Sequence, residues 1–167
     1  MKIPLKEAIN SSAWYHCKTK CWVATFDDEK EIDYRVKVLS FEKINLEEVD
    51  EPNEIKELNL SGGTLWLLRV EVVNLWKKEL DSFPIYDSII LIDHDDFEFK
   101  PQTDRHLTGN SEYAHSAGLN LLNGSSGSDC GVLLPKIPLR GSLAFLLPND
   151  EEGVYFLSVE GGKIQEV

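Results

Sequence analysis

The sequence predicts an all-β chain folded as a two-layer sandwich of about seven strands. Three observations carry this reading. Residues 63–99 hold two apolar runs, GTLWLLRVEVVN and SIILID, the second leading through an acidic turn into FEF. Residues 139–159, LRGSLAFLLPNDEEGVYFLSV, supply two more runs split by a second acidic turn. No long segment shows the 3.6-residue apolar period of an amphipathic helix, whereas several alternate with period two.

Residues 1–20 read as an N-terminal extension, and the sandwich domain spans 21–160. Its first strand is Cys21–Phe26, with Trp22, Ala24 and Phe26 on one face. DDEKE then forms a charged turn, and Asp33–Phe41 alternates again, with Tyr34, Val36 and Val38 opposing Arg35 and Lys37. Two alternating runs around a short polar break make a hairpin. An acidic connector follows over 45–59, where Pro52 breaks any regular element and Ile55 and Leu58 mark at most one helical turn. Ser61-Gly62-Gly63 punctuates entry into the strongest strand, Thr64–Asn74. Its Trp66, Leu68, Val70 and Val72 form one wholly apolar face. The glycines precede a strand and lack the spacing of a phosphate loop, so phosphate binding is discounted. Ser88–Asp93 and Phe97–Phe99 form a hairpin around His94-Asp95-Asp96. A long polar loop, 101–137, comes next, with a short helix expected near 112–122. Gly141–Leu147 is a strand stopped by Pro148, NDEEG turns, and Val154–Val159 closes the sheet. Residues 161–167 are a tail.

Composition narrows the function classes. The chain has 167 residues, is 42% hydrophobic, and carries 17 basic against 29 acidic side chains for a net charge of −12. That length supports one domain with an ordinary core. Such an acidic chain disfavours nucleic acid and anionic membrane surfaces as partners. No stretch approaches the roughly 18 apolar residues of a membrane span, so membrane insertion is not expected. The first residues, MKIPLKEAINSSAW, lack an apolar signal core, which points to the cytoplasm, or to an extracellular protein if the chain has been trimmed.

Candidate chemistry is sparse. Cys17, Cys21 and Cys130 are an odd number for a disulfide scaffold. On a helix Cys17 and Cys21 would share a face; on a strand they would also share one, but about 13 Å apart and too far to bridge. His16 beside them suggests a metal, but no second ligand pair at suitable spacing follows. Asp93, Asp95, Asp96 and Glu98 form the sharpest cluster. Calcium would need six to eight oxygens, and the glycine and terminal glutamate of an EF-hand loop are missing, so a hairpin turn capped by aspartates is the plainer reading. The 101–137 loop contains His106, Tyr113, His115, Asp129 and Cys130 beside GSSGS. A hydrolase can be assembled from them on paper, but GSSGS lacks the GxSxG elbow and resembles a linker.

The order GTLWLLRVEVVN (63–74), IILIDHDDFEF (89–99) and GSLAFLLP (141–148) resembles the immunoglobulin-like domains of unknown function found in bacterial and archaeal lipoproteins. These belong to the superfamily of the mycobacterial immunoprotective extracellular antigen. The similarity spans roughly residues 20–160, and the last motif is the most specific. It implies an immunoglobulin-like sandwich and a role in interaction, and it brings no catalytic residues. The chain departs from the family in showing no lipoprotein signal with a lipid-anchored cysteine, and in its long 101–137 segment.

The resulting expectation is a non-enzymatic interaction module with a protein partner, or a homodimer, using loops or an exposed sheet edge. The alternative is a calcium- or zinc-dependent protein or hydrolase that uses the 93–98 turn or the histidines of the long loop. No residue is assigned a catalytic, cofactor-binding or metal-ligating role, and no cofactor is expected.

Overall fold

The computed structural model describes residues 2–23, 26–43, 63–80, 88–102, 133–149, 154–159 and 163–164. These residues form two antiparallel sheets around a shared core, the all-β sandwich expected from the sequence. In chain order the elements are β1 (Lys2–Pro4), α1 (Leu5–Ser11), β2 (Trp14–Val23), β3 (Asp28–Lys43), β4 (Gly63–Asn74), β5 (Ile89–Ile92), β6 (Glu98–Phe99), β7 (Leu139–Pro148), β8 (Phe156–Val159) and β9 (Lys163–Ile164). One sheet runs β1-β8-β5-β6 and the other β7-β4-β3-β2-β9. Thus β2, β3 and β4 form a meander within one sheet.

Alternation decides which side chains lie inside. On β3, Ile32, Tyr34, Val36 and Val38 are buried, while Asp33, Arg35 and Lys37 lie on the opposite, partly exposed face. The register to β4 shifts between Val38 and Ser40, a bulge at Leu39. One extra residue inverts the alternation beyond it. Phe41 therefore joins the inner face and stacks on Trp66 at 4.8 Å. Leu68, Val70 and Val72 of β4 meet Ile89, Leu91 and Leu157 of the smaller sheet in one core. Each such burial stabilises the fold by about 1.5–3 kcal/mol. Leu65, Leu67 and Val73 on the other side of β4 are buried as well, although Arg69 and Glu71 interrupt that face. At its start, a Cβ on Gly63 would fall 2.9 Å from Leu146 Cδ1, so this glycine serves close packing against β7.

Within the stretch 1–20, expected as an extension, residues 2–20 are part of the sandwich. β1 pairs with β8, setting Ile3 opposite Leu157. α1 follows directly and buries Leu5 and Ala8, with Ile9 packed against the core. Its first residue donates its N–H to the Tyr155 carbonyl at 2.9 Å. The hairpin strand also begins earlier than expected, at Trp14. Tyr15, Cys17 and Thr19 continue the inward alternation upstream, and pairing with β3 extends from Trp14↔Lys37 to Val23↔Asp28. The turn consequently lies between Val23 and Asp28, and most of DDEKE belongs to β3.

Two buried polar groupings among the described residues tie elements together. Tyr34 Oη lies 2.7 Å from Ser88 Oγ, tying the larger sheet to the start of β5. Asn74, fully buried at the end of β4, has both ends of its amide engaged. Its Nδ2 donates to the carbonyls of Lys78 (2.8 Å) and Leu133 (3.1 Å), and its Oδ1 accepts from the Trp76 N–H at 2.8 Å. The Asn74 backbone carbonyl also accepts from the Lys136 N–H. These bonds fix where the long 101–137 segment rejoins the sheet. At its other end, Gln102 N–H donates to the Ala144 carbonyl on the edge of β7. The connector 45–59, the expected helix at 112–122, the 150–153 turn and most of the long loop lie outside the described residues.

Candidate binding surface

The outer face of β2 and β3 carries an unusual grouping for so acidic a protein. Because Tyr15 and Cys17 point inward, Trp14, His16 and Lys18 point outward, and the hairpin register sets them opposite Lys37, Arg35 and Asp33. The half-buried Trp14 ring supports two cations. The Arg35 guanidinium carbon is 4.5 Å from its centroid and Lys37 Nζ is 5.5 Å away. A cation over an indole face is attracted by the ring quadrupole, by about 0.5–1 kcal/mol where exposed.

Charge is unevenly compensated here. β4 and β7 continue the same rows, with Glu71 opposite Lys37, and Arg140 opposite Glu71. Across these rows the cations are Lys18, Arg35, Lys37 and Arg140, and the carboxylates are Asp33 and Glu71. Glu71 Oε2 accepts from Arg140 Nε at 2.8 Å, and Asp33 Oδ1 lies 3.7 Å from Lys18 Nζ and 3.4 Å from His16 Nε2. Among the described residues, neither Arg35 nor Lys37 has a carboxylate partner. The Nε of Arg35 is sealed from solvent with no hydrogen-bond acceptor. His16 Nε2 and Asp33 Oδ1 are likewise sealed, in contact but not aligned for a bond. Farther along β2, Lys18 and Lys20 lie beyond the pairing with β9, which among the described residues covers Tyr15 and His16, and edge lysines commonly discourage strand addition.

The residues singled out from sequence fall elsewhere. Cys17 is buried between the sheets, where desolvation pushes its thiol up to about 12 despite a hydrogen bond with Tyr34. It points away from His16, so the two do not converge on a metal. Cys21 is described by its backbone alone, and Cys130, His106, Tyr113, His115 and Asp129 lie outside the described residues. In the 93–98 turn, Asp93 Oδ1 accepts the N–H groups of Asp95 and Phe97, both at 2.9 Å. That carboxylate organises the turn and lets Asp96 adopt its left-handed φ of 65°. Asp96 pairs with Lys2, which holds its carboxyl below the usual range, and Asp95 contacts His94. Among the described residues, no group of three or more His, Cys, Asp or Glu side chains is disposed to hold a metal ion.

A concavity of about 330 Å³ opens beside α1. Pro4, Leu5, Ile9, Phe41, Val154 and Tyr155 give it an apolar lining, with Lys6 and Asn10 among its polar residues. Tyr155 meets Phe41 and Phe99 edge-on at 6.4 and 6.0 Å.

No described helix is long and apolar enough to cross a membrane. No family model matches the chain. Comparison with curated proteins gives no match either. Among solved structures, a functionally unknown protein from Listeria monocytogenes EGD-e is similar over 85% of this chain and 71% of its own, at 15% identity and a TM-score of 0.35. A likeness at that level carries no argument about activity.

Proposed function

We propose that this chain is a non-enzymatic interaction module that engages a protein partner through the outer face of β2 and β3. The supporting observation is Trp14, half-exposed beside Arg35 and Lys37 on the face of a five-stranded sheet. Tryptophan and arginine are the residue types that most often dominate the energetics of protein interfaces, and they do so where neighbouring groups fix their geometry. The site stands on paired strands of a packed core, so little order has to be gained on binding. This differs from the loop or sheet edge expected from the sequence, and it uses no residue of the long 101–137 segment.

Affinity capture with immobilised full-length protein tests this reading. The double variant Trp14→Ala/Lys37→Glu should lose a protein that the unaltered chain retains, while keeping its melting temperature within about 3 °C, as expected for surface substitutions worth under about 1 kcal/mol. An identical captured set from both forms would refute the assignment.

A further inference from the structure

We propose that the partner presents an extended acidic segment with carboxylates on alternate residues, and that Arg35 and Lys37 receive them. This inference rests on the interaction reading above and names its chemistry. Arg35 and Lys37 are two apart on β3 and share a face, so their side chains leave the sheet about 7 Å apart. An extended peptide repeats its own side chains on one face at the same interval. Glu-x-Glu therefore matches Arg35-x-Lys37 in step.

The chemistry of each position fits a carboxylate. The guanidinium of Arg35 is planar and suits two-point contact through its terminal nitrogens, since its Nε is sealed from solvent. Lys37 has Glu71 as its cross-strand neighbour, but that carboxylate is engaged by Arg140 on the far side. Trp14 lies against both cations and offers an apolar floor to the methylenes of an incoming glutamate. Asp33, paired with Lys18 and His16, bounds the site along β3. The surrounding acidic surface works against a long polyanion. At physiological ionic strength, screening over about 8 Å confines that repulsion, so a short acidic segment that touches only these rows escapes most of it.

Fluorescence anisotropy with a labelled (Glu-Ser)3 hexapeptide tests the assignment on the full chain. The (Gln-Ser)3 hexapeptide and a hexathymidylate serve as comparison probes. The (Glu-Ser)3 peptide should bind at least tenfold more tightly than either. Arg35→Gln and Lys37→Gln should each weaken it at least fivefold, whereas Lys18→Gln, whose lysine already faces Asp33, should change it less than twofold. Equal binding of (Gln-Ser)3, unchanged binding by both variants, or tighter binding of the oligonucleotide overturns the proposal. If (Glu-Ser)3 fails while protein capture still depends on Trp14 and Lys37, the acidic-segment assignment falls and the interaction reading stands. If capture is also unaffected, both fall.

Discussion

The substitution Asn74→Asp changes one amide nitrogen to oxygen in a fully buried site, with almost no change in volume. The native amide donates to two carbonyls, Lys78 at 2.8 Å and Leu133 at 3.1 Å, and accepts from the Trp76 N–H at 2.8 Å. A carboxylate keeps the accepting contact but sets oxygen against oxygen at the other two. Losing two neutral hydrogen bonds removes about 2 kcal/mol; the Leu133 carbonyl keeps the Leu80 N–H at 3.1 Å, so the acceptor left without its donor is the part-buried Lys78 carbonyl, which adds about 1 kcal/mol. The charge of the introduced carboxylate in that dry site is a further penalty, relieved only by taking up a proton. The total at pH 7.5 is about 3–5 kcal/mol, a large share of the roughly 5–15 kcal/mol that holds a domain together. For a chain of this size that lowers the melting temperature by about 6–20 °C. The loss should shrink at pH 4.5, where a protonated carboxyl regains one donor. Urea melts at the two pH values, with the denaturant slope unchanged, measure this directly. A variant within about 0.5 kcal/mol of the parent at pH 7.5, or one indifferent to pH, would refute the role given to Asn74.

Other outcomes follow from the same structure. Asp93→Ala removes two backbone contacts from the 93–98 turn and should lower stability by about 1–2 kcal/mol, equally in chelator and in millimolar calcium. A destabilisation seen only with calcium present would restore the metal reading. With Cys21 and Cys130 replaced by serine, Cys17 should resist alkylation at pH 8 in native buffer and react promptly in urea. Its native value of about 12 lies above the ordinary thiol value, so the stability gained from keeping it neutral is complete below about pH 8.5 and is lost as pH climbs toward 12. Fast native labelling at pH 8 would contradict its burial.

How much of this was legible in the sequence depends on the element. β4 and β7 announce themselves because both faces, or nearly both, are apolar, and the inner face of β3 is clear from Tyr34 through Val38. β1 and α1 are too short to show a period, although Leu5, Ala8 and Ile9 are spaced at i, i+3 and i+4. The early start of β2 was hidden by its outward histidine and lysines, which read as metal-site or solvent residues instead of the polar half of an alternation. That shift matters for function. A turn at 27–31 would have carried Trp14 past the expected end of the partner strand at Phe41, away from Arg35. Only the register with its turn between Val23 and Asp28 sets Trp14 beside Arg35 and Lys37. Residues distant in sequence thus meet through a pairing that alternation alone leaves free to slip.

The most direct measurement is an amide and indole chemical-shift map of the full chain titrated with (Glu-Ser)3. The Trp14 indole and the backbone amides of His16, Arg35 and Lys37 should move together and saturate, while Ile9 and Tyr155 beside the α1 concavity stay still. Shifts centred on Ile9, Phe41 and Tyr155, or no saturable shift at Trp14, would contradict the placement of the binding face on β2 and β3.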